Sequence, residues 1–496
     1  MKKLICIVAT MFFLSFASYA YAGTFGDETG TPGKWFKGEM PLQKDPTKPP
    51  LVFVHGINSS SSTWFDQNDM AKMAVLNGYE TAFIDLYPDQ DIKTNGKLLA
   101  EKLKEIYDLF KRKLIVIGHS KGGVDTQSAL VYYNAHPYVE KVITLGSPHY
   151  GSPLADLAFS KFGGWLAQIL GQKSAALYSL QTGLMAAFRS ETDRLEKFPH
   201  KYVTYSGSEW GSFGSMLYLG GMYLKSFGTN DGAVTVNSTR LPYANNVLTG
   251  KWNHYSIKNG TTIFPVIQNQ LLTSIAASAK SKDDAIQEPA SDEMNTDAYV
   301  MGGESEKNKT ESFYVEEGTN SISIQWLNEG ENTQPEIIAP NGKVFTNLKT
   351  SEASFPYEGA YSHHVKINKP VPGKWAIRSN SGKKAPYLLL VSFDSPLNEE
   401  IKSEAAKSGD DASTQSSGLI KRLSKKVETL YFKDAEKDPP LKTTASSAVQ
   451  LKKEGAYSVT VQYTGLTASG KSAFNRTVIR TLYVDQHGNI YGDIPY

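Results

Sequence analysis

Between Pro50 and Gly146, short, largely apolar runs alternate with stretches in which apolar residues recur at every third or fourth position. Pro50 to Val54, Ala82 to Leu86, Leu114 to Ile117 and Val142 to Leu145 are the apolar runs, each the length of a strand buried on both faces. Between the second and third, Leu99, Leu103, Ile106 and Phe110 share one helical face behind a Thr94-Asn95 start signal. Buried strands joined by helices predict a doubly wound α/β domain, its mostly parallel sheet linked by right-handed crossovers. From Pro153 to about Pro199 the pattern is helical without strands. Its apolar positions cluster at Trp165, Leu166, Ile169 and Leu170, then at Leu180, Leu184, Met185 and Phe188. We read this insertion as a lid rather than as core helices, because a lid on a lipid-acting site needs apolar faces of its own. Tyr202 to Tyr205 resumes the strand pattern.

Near Ala279 the pattern stops at Lys280-Ser281-Lys282-Asp283-Asp284, and residues 279–312 have the composition of a linker. Beyond it the period falls to two. Ile322, Ile324 and Trp326 alternate with polar residues, Pro340-Asn341-Gly342 and Pro372-Gly373 mark turns, and Tyr387 to Val391 is a further strand, so residues 313–397 predict a β-sandwich module. A charged, helix-prone stretch at 398–426 reads as a second linker, its Lys421 to Lys426 cluster being a solvated face. Residues 427–496 alternate again, with Tyr457, Val459, Val461 and Tyr463 on one face, and form either a second β module or the rest of the first.

The first 22 residues run from Met1-Lys2-Lys3 through an apolar stretch, Leu4 to Ala17, to Ala20-Tyr21-Ala22, the order of a secretory signal. The apolar run is shorter than the roughly 20 residues that span a bilayer. The expected mature chain, residues 23–496, is exported to the extracellular medium. It holds no thiol, because the only cysteine, Cys6, lies in the leader. With 52 basic against 50 acidic side chains among 496 residues, no strong field attracts nucleic acid, and that class of partner is set aside.

The candidate chemistry begins where Leu114 to Ile117 runs into Gly118-His119-Ser120-Lys121-Gly122-Gly123 and a helical pattern follows. A serine on so tight a strand-to-helix turn needs glycine two residues before and two after, here Gly118 and Gly122, which makes Ser120 the expected nucleophile of an α/β-hydrolase elbow. A serine hydroxyl needs a base, which in this fold follows the acid near the end of the domain. Of nine histidines, elimination by position leaves His254, in Trp252-Asn253-His254-Tyr255. The acid is expected between elbow and base. Asp156 and Asp193 fall in the helical insertion, whereas Asp231 stands in the turn-forming Gly228-Thr229-Asn230-Asp231-Gly232. His55-Gly56-Ile57 follows the first central strand, so the backbone N–H groups of Ile57 and Lys121 are the expected oxyanion donors. No metal or organic cofactor is required by this chemistry.

Four stretches together resemble the bacterial secreted triacylglycerol lipases of the Pseudomonas and Burkholderia type. They are Phe53-Val54-His55-Gly56, Gly118 to Gly122, Leu145-Gly146-Ser147-Pro148-His149-Tyr150-Gly151-Ser152, and Asn230 to Val234 with Trp252-Asn253-His254. The resemblance covers about residues 50–270 and implies that the matching serine, aspartate and histidine form the triad and that the Pro148-His149 segment opens the lid region. It also implies a structural calcium. Here, however, no aspartate occurs from Pro199 to Asn230, and Ser256 stands where a second ligand would follow the histidine, so the calcium is not carried over. The expectation is a hydrolase of carboxylic esters acting on a lipid or ester substrate, with C-terminal modules that bind a cell-surface or polymeric ligand. The same triad would serve a thioesterase, amidase or polyester depolymerase. A reading of another class is a surface-binding protein with an inactive hydrolase domain.

Overall fold

The computed structural model describes residues 30–163, 174–193, 201–244, 246–272, 296–305, 309–331, 334–352, 360–379, 384–407, 418–435, 441–443, 451 and 453–493. The expected signal peptide, and the apolar cluster at Trp165 to Leu170, lie outside the described residues.

The first domain is built on seven strands: β1 (Trp35–Lys37), β2 (Leu51–Val54), β3 (Thr81–Ile84), β4 (Leu114–His119), β5 (Val139–Leu145), β6 (Lys201–Gly207) and β7 (Asn246–Gly250). They lie in the order β1-β3-β2-β4-β5-β6-β7, and every neighbouring pair is parallel except β1 with β3. This is the α/β-hydrolase arrangement of the doubly wound sheet. Strands β2 and β4 are buried at every position because helices cover each side of the sheet: α1 (Met70–Leu76) and the last helix of the domain on one, α2 (Ile92–Phe110) and α3 (Lys121–Tyr132) on the other. Helix α2 starts earlier than the sequence pattern placed it, since Asp91 is its N-cap and accepts from the N–H groups of Lys93 and Thr94.

Helices α4 (Pro153–Ala158), α5 (Ala175–Ser179), α6 (Thr182–Thr192), α7 (Met216–Leu224) and α8 (Gly260–Leu272) follow. The C-terminal half has two packed antiparallel sheets and a third sheet beside them. The sandwich strands are β8 (Ala298–Ser305), β9 (Thr310–Val315), β10 (Ser321–Asn328), β11 (Glu336–Ile338), β12 (Val344–Phe345), β13 (Lys349–Glu352), β14 (Tyr361–Asn368), β15 (Gly373–Arg378) and β16 (Ala385–Asp394). They form sheets in the orders β13-β14-β10-β16-β8 and β12-β11-β15-β9, closed over Phe313, Trp326, Trp375 and Leu389. After α9 (Leu397–Lys407) come β17 (Ile420–Phe432), β18 (Leu441–Thr443), β19 (Gly455–Thr467), β20 (Ala473–Val484) and β21 (Ile490–Tyr491), a separate five-stranded sheet ordered β18-β17-β19-β20-β21.

The structure departs from the sequence pattern at the borders of the modules and in the helical insertion. The linker expected at residues 279–312 is shorter than that, because β8 and the start of β9 lie within the range and β8 pairs Ala298 with Ser392 of β16, almost a hundred residues away. The second expected linker, 398–426, contains most of α9 and the first half of β17. Its basic cluster is strand, with Lys421, Arg422 and Lys426 exposed while Ile420 and Leu423 are buried. The helical insertion is expected to present apolar faces of its own; among its described residues, Leu180, Met185 and Phe188 pack on Ile92 and Val124 of the first domain, whereas Leu157, Phe159 and Phe162 are covered by the C-terminal sheets. Phe159 packs edge-on to Phe432 at 5.4 Å, the Thr481 hydroxyl donates to Gln181 Oε1 at 3.0 Å, and Leu157, Phe162 and Tyr223 share one core with Val300, Leu388 and Ile479.

Candidate active site

The turn from β4 into α3 carries Ser120 at φ 54° and ψ −131°, a conformation that a non-glycine residue adopts only when its surroundings enforce it. The enforcement is steric and hydrogen-bonded. A Cβ on Gly118 would lie 2.7 Å from Gly123 Cα, and one on Gly122 would lie 2.3 Å from the His55 carbonyl oxygen. The Ser120 N–H donates to Leu145 O at 3.0 Å, tying the turn to β5. Both expected glycines are therefore required by close approach of backbone.

His254 reaches this turn from the loop after β7, and its Nε2 lies 3.0 Å from Ser120 Oγ. Its Nδ1 lies 2.8 Å from Asp231 Oδ2. A carboxylate can only accept, so Nδ1 carries the proton and Nε2 is left to accept from the serine hydroxyl. Asp231 is fully buried, and its other oxygen accepts from the N–H groups of Ala233 at 2.9 Å and Val234 at 2.8 Å. The turn read in the sequence thus also satisfies the carboxylate. The main chains are tied as well, since His254 N–H donates to Asp231 O at 2.9 Å.

Two supporting groups were missed by sequence reasoning. His119, assigned only to the elbow, donates from Nε2 to the His254 carbonyl at 2.8 Å, and its ring centroid lies 4.9 Å from that of His254. Burial holds its pKa well below the ordinary histidine value, so it stays neutral and keeps that donor. Gly146, at φ 59°, leaves room for the acid–base pair, because a Cβ there would stand 3.0 Å from Asp231 Oδ2 and 3.3 Å from His254 Nδ1. No signal in a single sequence distinguishes it from an ordinary turn glycine.

The loop after β2 passes so close that a Cβ on Gly56 would be 2.8 Å from Ser120 Cβ. His55 sets the direction of that loop. The Leu86 N–H donates to His55 Nε2 at 2.9 Å, so the ring proton is on Nδ1, which donates to Gly56 O at 2.8 Å. Gly56 C=O and Ile57 N–H belong to one planar trans peptide and point in opposite directions, so holding the carbonyl aims the N–H. Burial drives the His55 pKa down to about 4, which preserves this tautomer at neutral pH. Lys121 begins α3, where a first-turn N–H has no helical partner. Its side chain turns into the protein, with Nζ 2.7 Å from Asp125 Oδ1, while Asp125 Oδ2 accepts from Asn95 at 3.0 Å.

Ser120, His254, Gly56 and Ile57 line a cavity of about 270 Å³. Leu154, Leu177, Leu180, Leu217 and Val234 give it an apolar wall, drawn partly from α4, α5 and α7. The arrangement can pass a proton from a serine to an imidazole whose partner nitrogen is held by a carboxylate, beside an apolar slot. The calcium site of the lipases resembled in sequence does not fit: Ser256 Oγ is engaged by the N–H of Asn253 at 3.0 Å, as part of the turn that carries His254.

The chain matches the family model of the PGAP1-like alpha/beta domain over residues 89–176. A comparison with curated proteins returned no match. Among solved structures, it is similar to the Bacillus licheniformis lipase BlEst2 in propeptide form, with 43% identity and a TM-score of 0.83, covering 94% of this chain and 100% of that one. The mature form of the same lipase is 58% identical over 49% of this chain and 99% of that one, with a TM-score of 0.47. The metagenomic carboxyl esterase MGS0156 is 19% identical over 47% of this chain and 77% of that one, with a TM-score of 0.37. By its likeness to the propeptide-form lipase over nearly its whole length, the chain belongs to the lipase and esterase family of α/β-hydrolases and is a carboxylic ester hydrolase.

Proposed function

We propose that this protein is a secreted acylglycerol lipase or esterase that works through an acyl-enzyme on Ser120. The observation that carries the reading is the unbroken chain from Ser120 Oγ through His254 to Asp231, at 3.0 and 2.8 Å. His254 Nε2 takes the hydroxyl proton as Oγ attacks the ester carbonyl, and Asp231 holds the imidazolium that forms. The negative oxygen of the tetrahedral intermediate lies against Ile57 N–H and Lys121 N–H, at the positive end of α3. Collapse breaks the C–O bond, and the leaving alcohol takes the proton from His254. Water then repeats the sequence on the acyl-enzyme and releases the acid.

The apolar wall favours an acyl chain, and the four-stretch resemblance to Pseudomonas and Burkholderia lipases favours acylglycerols among esters. The leader-like composition of residues 1–22 supports export. The full-length relative is described in a propeptide form. We extend that description to this chain, with the C-terminal sheets as the pro-segment, because Gly183 of α6 and Phe159 beside α4 pack directly on β20 and β17. Sheets committed to that packing present less surface to a polymeric ligand than free modules would.

The test is an aryl ester series of increasing acyl length, run with wild type and Ser120→Ala. Loss of turnover across the series in the variant supports the reading. Turnover equal to wild type refutes it.

A further inference from the structure

Part of the cavity wall is polar, and it contains a cation that the ester-cleaving chemistry does not use. Lys258 ends the short 3-10 turn Ser256–Lys258, four residues beyond His254, and lines the cavity together with Asn58, Ser59 and Thr63. Its ammonium donates to the Thr63 hydroxyl, and its carbonyl accepts from Asn68 Nδ2 at 3.2 Å, so the residue is held by both ends. Lys121 is held differently. That ammonium is buried against Asp125, whereas a neutral hydroxyl is the only side-chain partner of Lys258 among the described residues. Burial pulls the Lys258 pKa down to about 8, with no carboxylate acting to raise it. Its charge is felt within the site, where it opposes protonation of both His55 and His119.

A half-buried cation whose one side-chain partner is a hydroxyl is poorly compensated, and charges withdrawn from water are ordinarily paired. A charge left unpaired in a substrate cavity is compensated when a ligand of opposite sign enters, and it discriminates against a neutral analogue that leaves it bare. We propose that Lys258 is a specificity-determining residue that binds a carboxylate or phosphate carried by the ester substrate close to its scissile bond. This deepens the ester-hydrolase reading of the same cavity and rests on it. The apolar wall takes the acyl chain, and the ammonium of Lys258 with the Thr63 hydroxyl takes the anionic group.

Two matched pairs of substrates test this and separate the two sources of the anion. Monoacylglycerol 3-phosphate is compared with the monoacylglycerol of the same chain, which places the charge on the leaving group. Mono-4-nitrophenyl adipate is compared with 4-nitrophenyl hexanoate, which places it on the acyl group. For at least one pair, the ratio of kcat/KM for the anionic over the neutral member is expected to fall tenfold or more in Lys258→Met and Lys258→Gln. Lys258→Arg should restore most of it. Ratios within twofold of wild type for both pairs overturn the proposal. Should the methionine and glutamine variants fail to fold, inhibition of wild-type hexanoate turnover by octyl phosphate against octanol decides it, with at least tenfold tighter inhibition by the phosphate expected and equal inhibition overturning it. Absence of turnover by wild type on every ester would instead remove the ester-hydrolase reading beneath it.

Discussion

Gly56→Ala asks how closely the loop after β2 must approach the nucleophile. The added Cβ would sit 2.8 Å from Ser120 Cβ, 3.3 Å from His119 O and 3.4 Å from Ser120 Oγ. Carbon atoms in contact rest at about 3.5–4.0 Å, so loop and serine must separate by roughly 1 Å. Neither neighbour yields cheaply, since Ser120 is locked in its strained turn and the loop is held by His55 and by Asn58 N–H bonding to Pro88 O at 3.0 Å. Ile57 N–H would be carried away from the developing oxyanion, and losing one such donor costs about 3 kcal/mol of transition-state stabilisation, or roughly 10²–10³ in kcat. Because that bond forms only in the transition state, KM should move little. Steady-state kinetics on 4-nitrophenyl butyrate, with thermal melting as a check on folding, read the result directly. A kcat within threefold of wild type in a folded variant would refute the placement of the oxyanion site.

Three further outcomes are expected. Asp231→Asn removes the acceptor that keeps the proton on His254 Nδ1, so kcat should fall by about 10³–10⁴ in a folded enzyme, measured on the same ester; a fall below tenfold would contradict the tautomer assignment. His119→Leu leaves the His254 carbonyl without its donor, and stability should drop by about 1–3 kcal/mol in denaturant unfolding together with a lower kcat, whereas unchanged values of both would dismiss the bond. Arg476 and Glu316 are both fully buried, with Nη2 2.5 Å from Oε1, and they join β20 to the sandwich. Burial alone would raise the Glu316 pKa, but the Arg476 charge and hydrogen bonds hold it below the ordinary value. Its stabilising contribution is therefore present at neutral pH and lost as pH falls below the usual glutamate range. Glu316→Gln should cost about 3–5 kcal/mol at pH 7, and its gap to wild type should narrow on acidification in unfolding measurements; a gap independent of pH would contradict this.

What was legible in the sequence was what short-range geometry imposes. Four buried strands, the amphipathic face of α2 and the glycines of the elbow announce themselves because each obeys a steric or periodic rule within a few residues. Asp231 and His254 could be named because chain order and turn chemistry left few alternatives. The same reasoning could not show that His119 supports His254 across 135 positions, or that Gly146 clears space for the acid–base pair, since both depend on loops meeting in the fold. Composition misled at the module borders. Ala298 to Met301 is apolar, but Glu304 to Lys309 and the acidic residues before it dominate any average over the stretch, and its partner is β16. Lys421, Arg422 and Lys426 hid a strand whose buried positions are few. The contact of the helical insertion with the C-terminal half was equally invisible, because Phe159 and Phe432 lie far apart in the chain and meet only in the fold.

The most direct test of the account is the mass of the chemical adduct formed with an alkyl fluorophosphonate, followed by peptide mapping. A single adduct on Ser120, formed in step with loss of ester hydrolysis and slowed strongly in His254→Ala, is the expected result. An adduct on any other residue, or full hydrolytic activity in protein completely labelled at Ser120, would contradict the account.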